Sequence, residues 1–173
     1  VDRIKQIASS HPEWKDRQPF TAVFEGDIQS LAAQGEKGLL QLVMASHSGM
    51  TTEEFTLAVK EWLRTSRHPR FNQPYTNLVF QPMLDLLEYL RASGFKTYIV
   101  SGGGIEFLRA FAEEVYGIPP EQVIGSSIKT EFQIRGGQPV LARLPEIDFI
   151  DDKAGKPVGI HKFVGRRPIA AFG

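Results

Sequence analysis

The stretch KTYIVSGGGIEF, residues 96–107, decides how the chain is read. A β-branched and aromatic run, Tyr98-Ile99-Val100, stops at Ser101; three glycines follow, and an amphipathic run begins at once. A short apolar run bounded by glycine predicts a strand over 95–100. The spacing of Phe107, Leu108, Phe111 and Val115 predicts a helix over 104–116. In a parallel α/β sheet, ligands bind at the carboxyl ends of the strands, which is where Ser101 falls. The amides of Gly102, Gly103 and Gly104 would then open a helix, where unpaired N–H groups and the dipole favour an anion. Glycine also lets a ligand approach the backbone closely. A hydroxyl beside free amides is phosphate-binding chemistry, although the same residues would serve equally as an N-cap and a tight turn. The spacing is not the G-x-G-x-x-G of a dinucleotide site. Nor is it a nucleophile elbow, since Ile99 stands where glycine is required.

The rest of the composition narrows the class. A length of 173 residues suits one domain with a small subdomain, and 42% hydrophobic residues suffice for a core. A formal net charge of zero argues against a nucleic-acid partner, whose footprint is a basic excess. No apolar run reaches the roughly 18 residues of a membrane span, so no membrane partner is expected. The opening VDRIKQIASSHPEWK lacks the apolar segment of a signal peptide. These features fit a soluble chain and leave its compartment unassigned. The absence of cysteine excludes disulfides and thiolate metal sites.

Two halves read differently. Residues 1–75 look helical. TTEEFTLAVKEWLRTS opens with a capping box, Thr51 and Glu54, and then repeats Phe55, Ala58, Val59 and Trp62 at helical spacing. GDIQSLAAQG and EKGLLQLVMASH read as shorter helices; TAVFEGD is a weak strand candidate. From residue 76 the pattern alternates. Pro82 and Gly94 bracket a helix, EQVIGSS is a short strand, and two arms around Gly136-Gly137 predict a hairpin over 130–143. KPVGIHKFVG is a short helix candidate, and PIAAF at 168–172 is a strand. The order implies an α/β fold with a mostly parallel, Rossmann-like sheet, residues 76–173, a hairpin addition, and a helical cap, residues 1–75.

Lys156 then acquires meaning. IVSGGG ends an apolar strand in Ser101, and GKPVGI places Lys156 at the start of a helix that precedes an apolar strand ending in Gly173. In this order the two motifs resemble the haloacid dehalogenase-like hydrolases, specifically the phosphoserine-phosphatase-like members with a helical cap. The resemblance covers essentially the whole chain. It implies a magnesium-dependent phosphatase acting on a small phosphorylated metabolite through an aspartyl phosphate. Ser101, with Gly102 and Gly103, would bind the phosphoryl group, and Lys156 would stabilise its charge.

The sequence departs from that pattern in two places. The family's nucleophile lies in an Asp-x-Asp-Gly-Thr-like motif, and none is found; Asp27 in FEGDIQS is the nearest look-alike. The acidic metal loop should follow Gly173, where the sequence stops. The pattern therefore reads as an internal segment, inactive by itself. A rival alignment takes EIDFIDD as strand plus metal loop, with Asp151 and Asp152 as magnesium ligands and Lys129 as the lysine. A different class also remains open: a non-catalytic anion-binding or interaction module on the same scaffold. Trp14 and Trp62 are expected in the core of the helical half. His47, His68 and His161 lack mutual metal-ligand spacing. Arg67, His68 and Arg70 are candidates to face a substrate from the junction of the two halves.

Overall fold

A computed structural model describes residues 2–173. The elements run α1 (Asp2–Ile7), α2 (Phe20–Glu25), α3 (Ile28–Ala33), α4 (Gly35–His47), α5 (Thr52–Thr65) and α6 (Gln81–Ala92). They continue with β1 (Ile99–Gly104), α7 (Ile105–Arg109), α8 (Ala112–Tyr116), β2 (Val123–Arg135), β3 (Gln138–Phe149) and α9 (Gly155–Val164). The fold is mixed α/β around one three-stranded sheet in the order β1-β2-β3. Among the described residues no helix is long and apolar enough to cross a membrane.

Contacts divide the chain into two compact units, Val1–Thr51 with Ile128–Glu146, and Thr52–Ser127 with Ile147–Gly173. The sequence boundary at residue 75 therefore differs from the contact boundary. The helix α5 packs with α7, burying Phe55, Val59 and Leu63 against Ala110.

The first unit is built on Ile4, Trp14, Phe20, Val23 and Leu42. Trp14 stacks on Phe20 at 4.5 Å between ring centres. TAVFEGD is helix, not strand, because Phe20 and Val23 reach this core three residues apart. Asp27 accepts hydrogen bonds from the Ser30 N–H at 3.0 Å and the Ser30 hydroxyl at 2.6 Å, capping α3. Both bonds favour its ionised form and hold its carboxyl below the usual value. The β3 strand closes the unit: Gly49 donates to the Arg143 carbonyl, and the Arg143 N–H to Met50, each at 2.9 Å.

In the second unit the core gathers Ile105, Ala112, Ile118 and Val123. The predicted helix over 104–116 is two, α7 and α8, broken where Phe111 leaves helical geometry at φ −138°. The strand predicted over 95–100 begins at Ile99 instead. Residue 95 is spent closing α6, its N–H donating to Leu90 beside Gly94 at φ 82°. The short strand and first hairpin arm are one continuous β2, so the ribbon is longer than expected. Its turn places Gly136 at φ 58° and Gly137 at φ 79°, the two positive values that a two-residue hairpin turn demands.

Two expectations fail. The sheet is not mostly parallel: β1 and β2 pair in parallel, while β2 and β3 form the hairpin. The segment 168–172 is not a strand; Ile169 is 85% exposed and Phe172 60%. An apolar run becomes a buried strand only where a neighbour covers it, and no described strand lies alongside. Trp62 is also outside the core, 42% exposed and stacked on Tyr75.

Candidate functional site

Ser101, Lys156 and the acidic pair lie in the second unit. Val100 pairs with Ile124 and Ser101 with Gly125, but the next partners are Gly104 and Ser126. Gly102 and Gly103 are therefore looped out of the ladder as a bulge, directly after the serine. Gly125 makes room for them. A Cβ there would sit 2.7 Å from the Gly103 carbonyl oxygen and 3.0 Å from the Ile105 backbone.

The bulge is held from two sides. The Ser101 hydroxyl accepts a hydrogen bond from the Gly103 N–H at 3.1 Å. The Ser126 hydroxyl donates to the Gly102 carbonyl at 2.8 Å and accepts from the Asp151 N–H at 3.0 Å. The Gly102–Gly103 peptide is thus gripped at both its oxygen and its N–H. The Gly102 and Gly103 side of the bulge is exposed.

Lys156 reaches the same place from α9. Its ammonium donates to the Val100 carbonyl at 3.0 Å, one residue before Ser101. Two glycines four residues apart let α9 come this close. A Cβ on Gly155 would collide with the Ile150 carbonyl, and one on Gly159 would lie 2.5 Å from Asp151 Oδ1 and 3.1 Å from Ile124. The structure thus brings together Ser101, Gly102, Gly103 and Lys156.

The acidic pair divides. Asp151 is fully buried, and neither carboxylate oxygen has a hydrogen-bond partner. Burial pushes its carboxyl above the ordinary aspartate range and the neighbouring Asp152 charge adds to this, while the Lys156 charge pulls the other way. Asp152 is half-buried beside Gly102, where a Cβ on the glycine would stand 3.6 Å from Asp152 Oδ1.

The lysine of the rival assignment, Lys129, is paired with Glu146 at 2.6 Å on the surface. Asp148 lies inside β3 and accepts from the Ser127 hydroxyl at 2.8 Å. Asp151 and Asp152 supply two adjacent carboxylates, fewer than the full octahedral set that magnesium takes. No group of three or more His, Cys, Asp or Glu side chains that could hold a metal occurs among the described residues. Magnesium prefers several oxygen ligands in octahedral array. Arg67 and His68 are engaged in their own loop: the Arg67 guanidinium donates to the Asn72 carbonyl, and the His68 ring accepts from the Arg70 N–H.

Ser126 and the glycines 125, 155 and 159 escaped the sequence reading. A signal existed for one of them, because a glycine inside an apolar strand run such as VIGSS marks a bulge or a close backbone approach.

No family model and no curated protein matches this sequence. Among solved structures, the chain is similar to a phosphoserine phosphohydrolase-like protein from Francisella tularensis subsp. tularensis SCHU S4. The TM-score is 0.41 and the identity 20%, covering 94% of this chain and 64% of that one. The chain spans less than two thirds of that protein's length.

Proposed function

We propose that this chain supplies the phosphate-binding groups of a phosphomonoester hydrolase of the haloacid dehalogenase type. The observation that carries the reading is the Lys156–Val100 hydrogen bond of 3.0 Å, which sets an ammonium at the end of β1 beside Ser101 and the glycine bulge. An ammonium has three N–H donors, and one is spent on Val100, so two remain for a ligand. The Ser101 hydroxyl and the amides of the bulge add neutral donors.

A transferring phosphoryl group spreads negative charge over its oxygens. Lysine, hydroxyl and amides fixed in advance offset that charge without reorganising during the reaction. The ligand expected is a small phosphorylated metabolite. By the same resemblance the reaction needs an aspartate nucleophile in an Asp-x-Asp-Gly-Thr-like motif, which this sequence does not contain, so the chain alone is expected to be inactive. Magnesium likewise belongs to the resemblance and has no complete ligand set among the described residues.

Asp152 works against an anion beside Gly102, and Lys156 works for it. The two carry opposite charges at one place, so their substitutions should move affinity in opposite directions. Titration of inorganic phosphate into the purified chain, followed by ³¹P NMR, tests this. Lys156→Ala should weaken binding about tenfold or more, the scale of one charge-assisted hydrogen bond. Asp152→Asn should tighten it. Equal affinity in all three proteins would end the reading. Phosphate binding without turnover in every longer form of the protein would favour a non-catalytic anion-binding module instead.

A further inference from the structure

We propose that Ser126 is a positioning residue for the anion site, holding the Gly102–Gly103 peptide in the orientation that presents the Gly103 N–H to a ligand. The inference rests on the phosphate-binding reading for its purpose, but the positioning itself stands on geometry.

Four facts converge on this hydroxyl. It is the β2 residue whose backbone pairs with Gly104, the position at which the ladder resumes after the bulge. It donates to the Gly102 carbonyl at 2.8 Å. It accepts from the Asp151 N–H at 3.0 Å, so the turn leading into α9 is tied to the same atom. Finally, the other end of the peptide that it holds, the Gly103 N–H, is taken by Ser101 at 3.1 Å.

That last bond gives Ser126 its importance. A phosphate oxygen can accept from Gly103 only when the Ser101 hydroxyl swings away. At that moment the Gly102–Gly103 peptide loses one of its two side-chain restraints. Both flanking residues are glycine, which turns more freely than any other residue. Without a second restraint, the peptide could flip and point its carbonyl oxygen at the anion. Ser126 keeps that oxygen occupied on the sheet side. Because it also holds Asp151, five residues before Lys156, the same hydroxyl ties the glycine bulge to the segment that delivers the ammonium.

A plain structural role is the competing explanation, and two variants separate them. Ser126→Ala removes the hydroxyl; Ser126→Thr keeps it and suits a strand. Amide hydrogen exchange, without any ligand, reads the peptide directly. Exchange at Gly103 should quicken in Ser126→Ala and return towards wild type in Ser126→Thr, with exchange in α5 and α6 unchanged. Inorganic phosphate should then bind Ser126→Ala roughly two- to tenfold more weakly, the range set by one neutral hydrogen bond, and Ser126→Thr at near wild-type affinity. Unchanged Gly103 exchange in Ser126→Ala overturns the positioning role whatever phosphate does. Quickened exchange with phosphate affinity intact overturns its link to the anion. Wild-type protein that binds no phosphate, with Gly103 exchange still dependent on Ser126, keeps the restraint and removes the phosphate reading.

Discussion

Asp151 is the residue whose chemistry is least comfortable. It is fully buried with both carboxylate oxygens unpartnered, and its carboxyl is held above the ordinary value of 3.8. A carboxyl that binds its proton more tightly folded than unfolded destabilises the fold as pH rises. Below 3.8 the group is protonated in both states and burial of its charge costs nothing. The penalty grows as pH climbs and is complete above the raised folded value. Asp151→Asn removes the charge and keeps the shape. The melting temperature of the variant minus that of the wild type should therefore become more positive from acidic to neutral pH. A difference flat across that range would mean that the carboxylate is not desolvated. At this scale the sequence was legible in position: Ser101 falls in β1 just before the glycine bulge, and Lys156 in the first turn of α9. Ser126 was not, because its work depends on which residue of β1 it faces, and register is a property of two strands.

The bulge between Ser101 and Gly104 is the element on which the site turns, and Gly125 is what permits it. An added methyl there would meet backbone atoms on two residues, at 2.7 Å and 3.0 Å, and neither can swing aside as a side chain would. Gly125→Ala should cost roughly 1–3 kcal/mol, the usual penalty for overpacking. Gly104→Ala is the control, since its nearest neighbour would be Phe107 at 4.0 Å, an ordinary contact. Urea unfolding of the two variants should show a clear loss for the first and little for the second; equal losses would mean that the close approach is not there. The elements most legible in advance were those announced by glycine and proline: the hairpin turn at Gly136-Gly137, and α6 between Pro82 and Gly94. Least legible was the apolar run at 168–172, which is extended but not in the sheet. Periodicity reports what a segment would gain by being covered, and the cover itself must come from elsewhere.

For the whole molecule, the contact boundary after Thr51 passes through a place with no linker composition. The α5 helix follows Thr51 without a proline- or glycine-rich spacer, so composition could not reveal where one unit stops. The mixed α/β class, by contrast, was readable from the order of helices and strands, whereas the mostly parallel sheet read from the same order was not found. The chain holds no group of three or more His, Cys, Asp or Glu side chains that could bind a metal among its described residues. Purified alone with magnesium, it should not hydrolyse p-nitrophenyl phosphate above the buffer rate. Turnover abolished by Asp151→Asn would restore the rival assignment of the acidic pair.

The hydrogen bond from the Gly103 N–H to Ser101 Oγ has a bearing on selectivity. The amide is already occupied by an internal tenant, and any incoming anion has to be a better acceptor than an alcohol oxygen at short range. On the phosphate-binding reading an ionised oxygen gains from that exchange, because hydrogen bonds to a charged acceptor are roughly twice as strong as neutral ones. A doubly charged phosphate gains most, and the displaced hydroxyl still has its own O–H to donate to another of the phosphate oxygens. On that reading the resting loop is a threshold, given up only to an acceptor stronger than an alcohol oxygen.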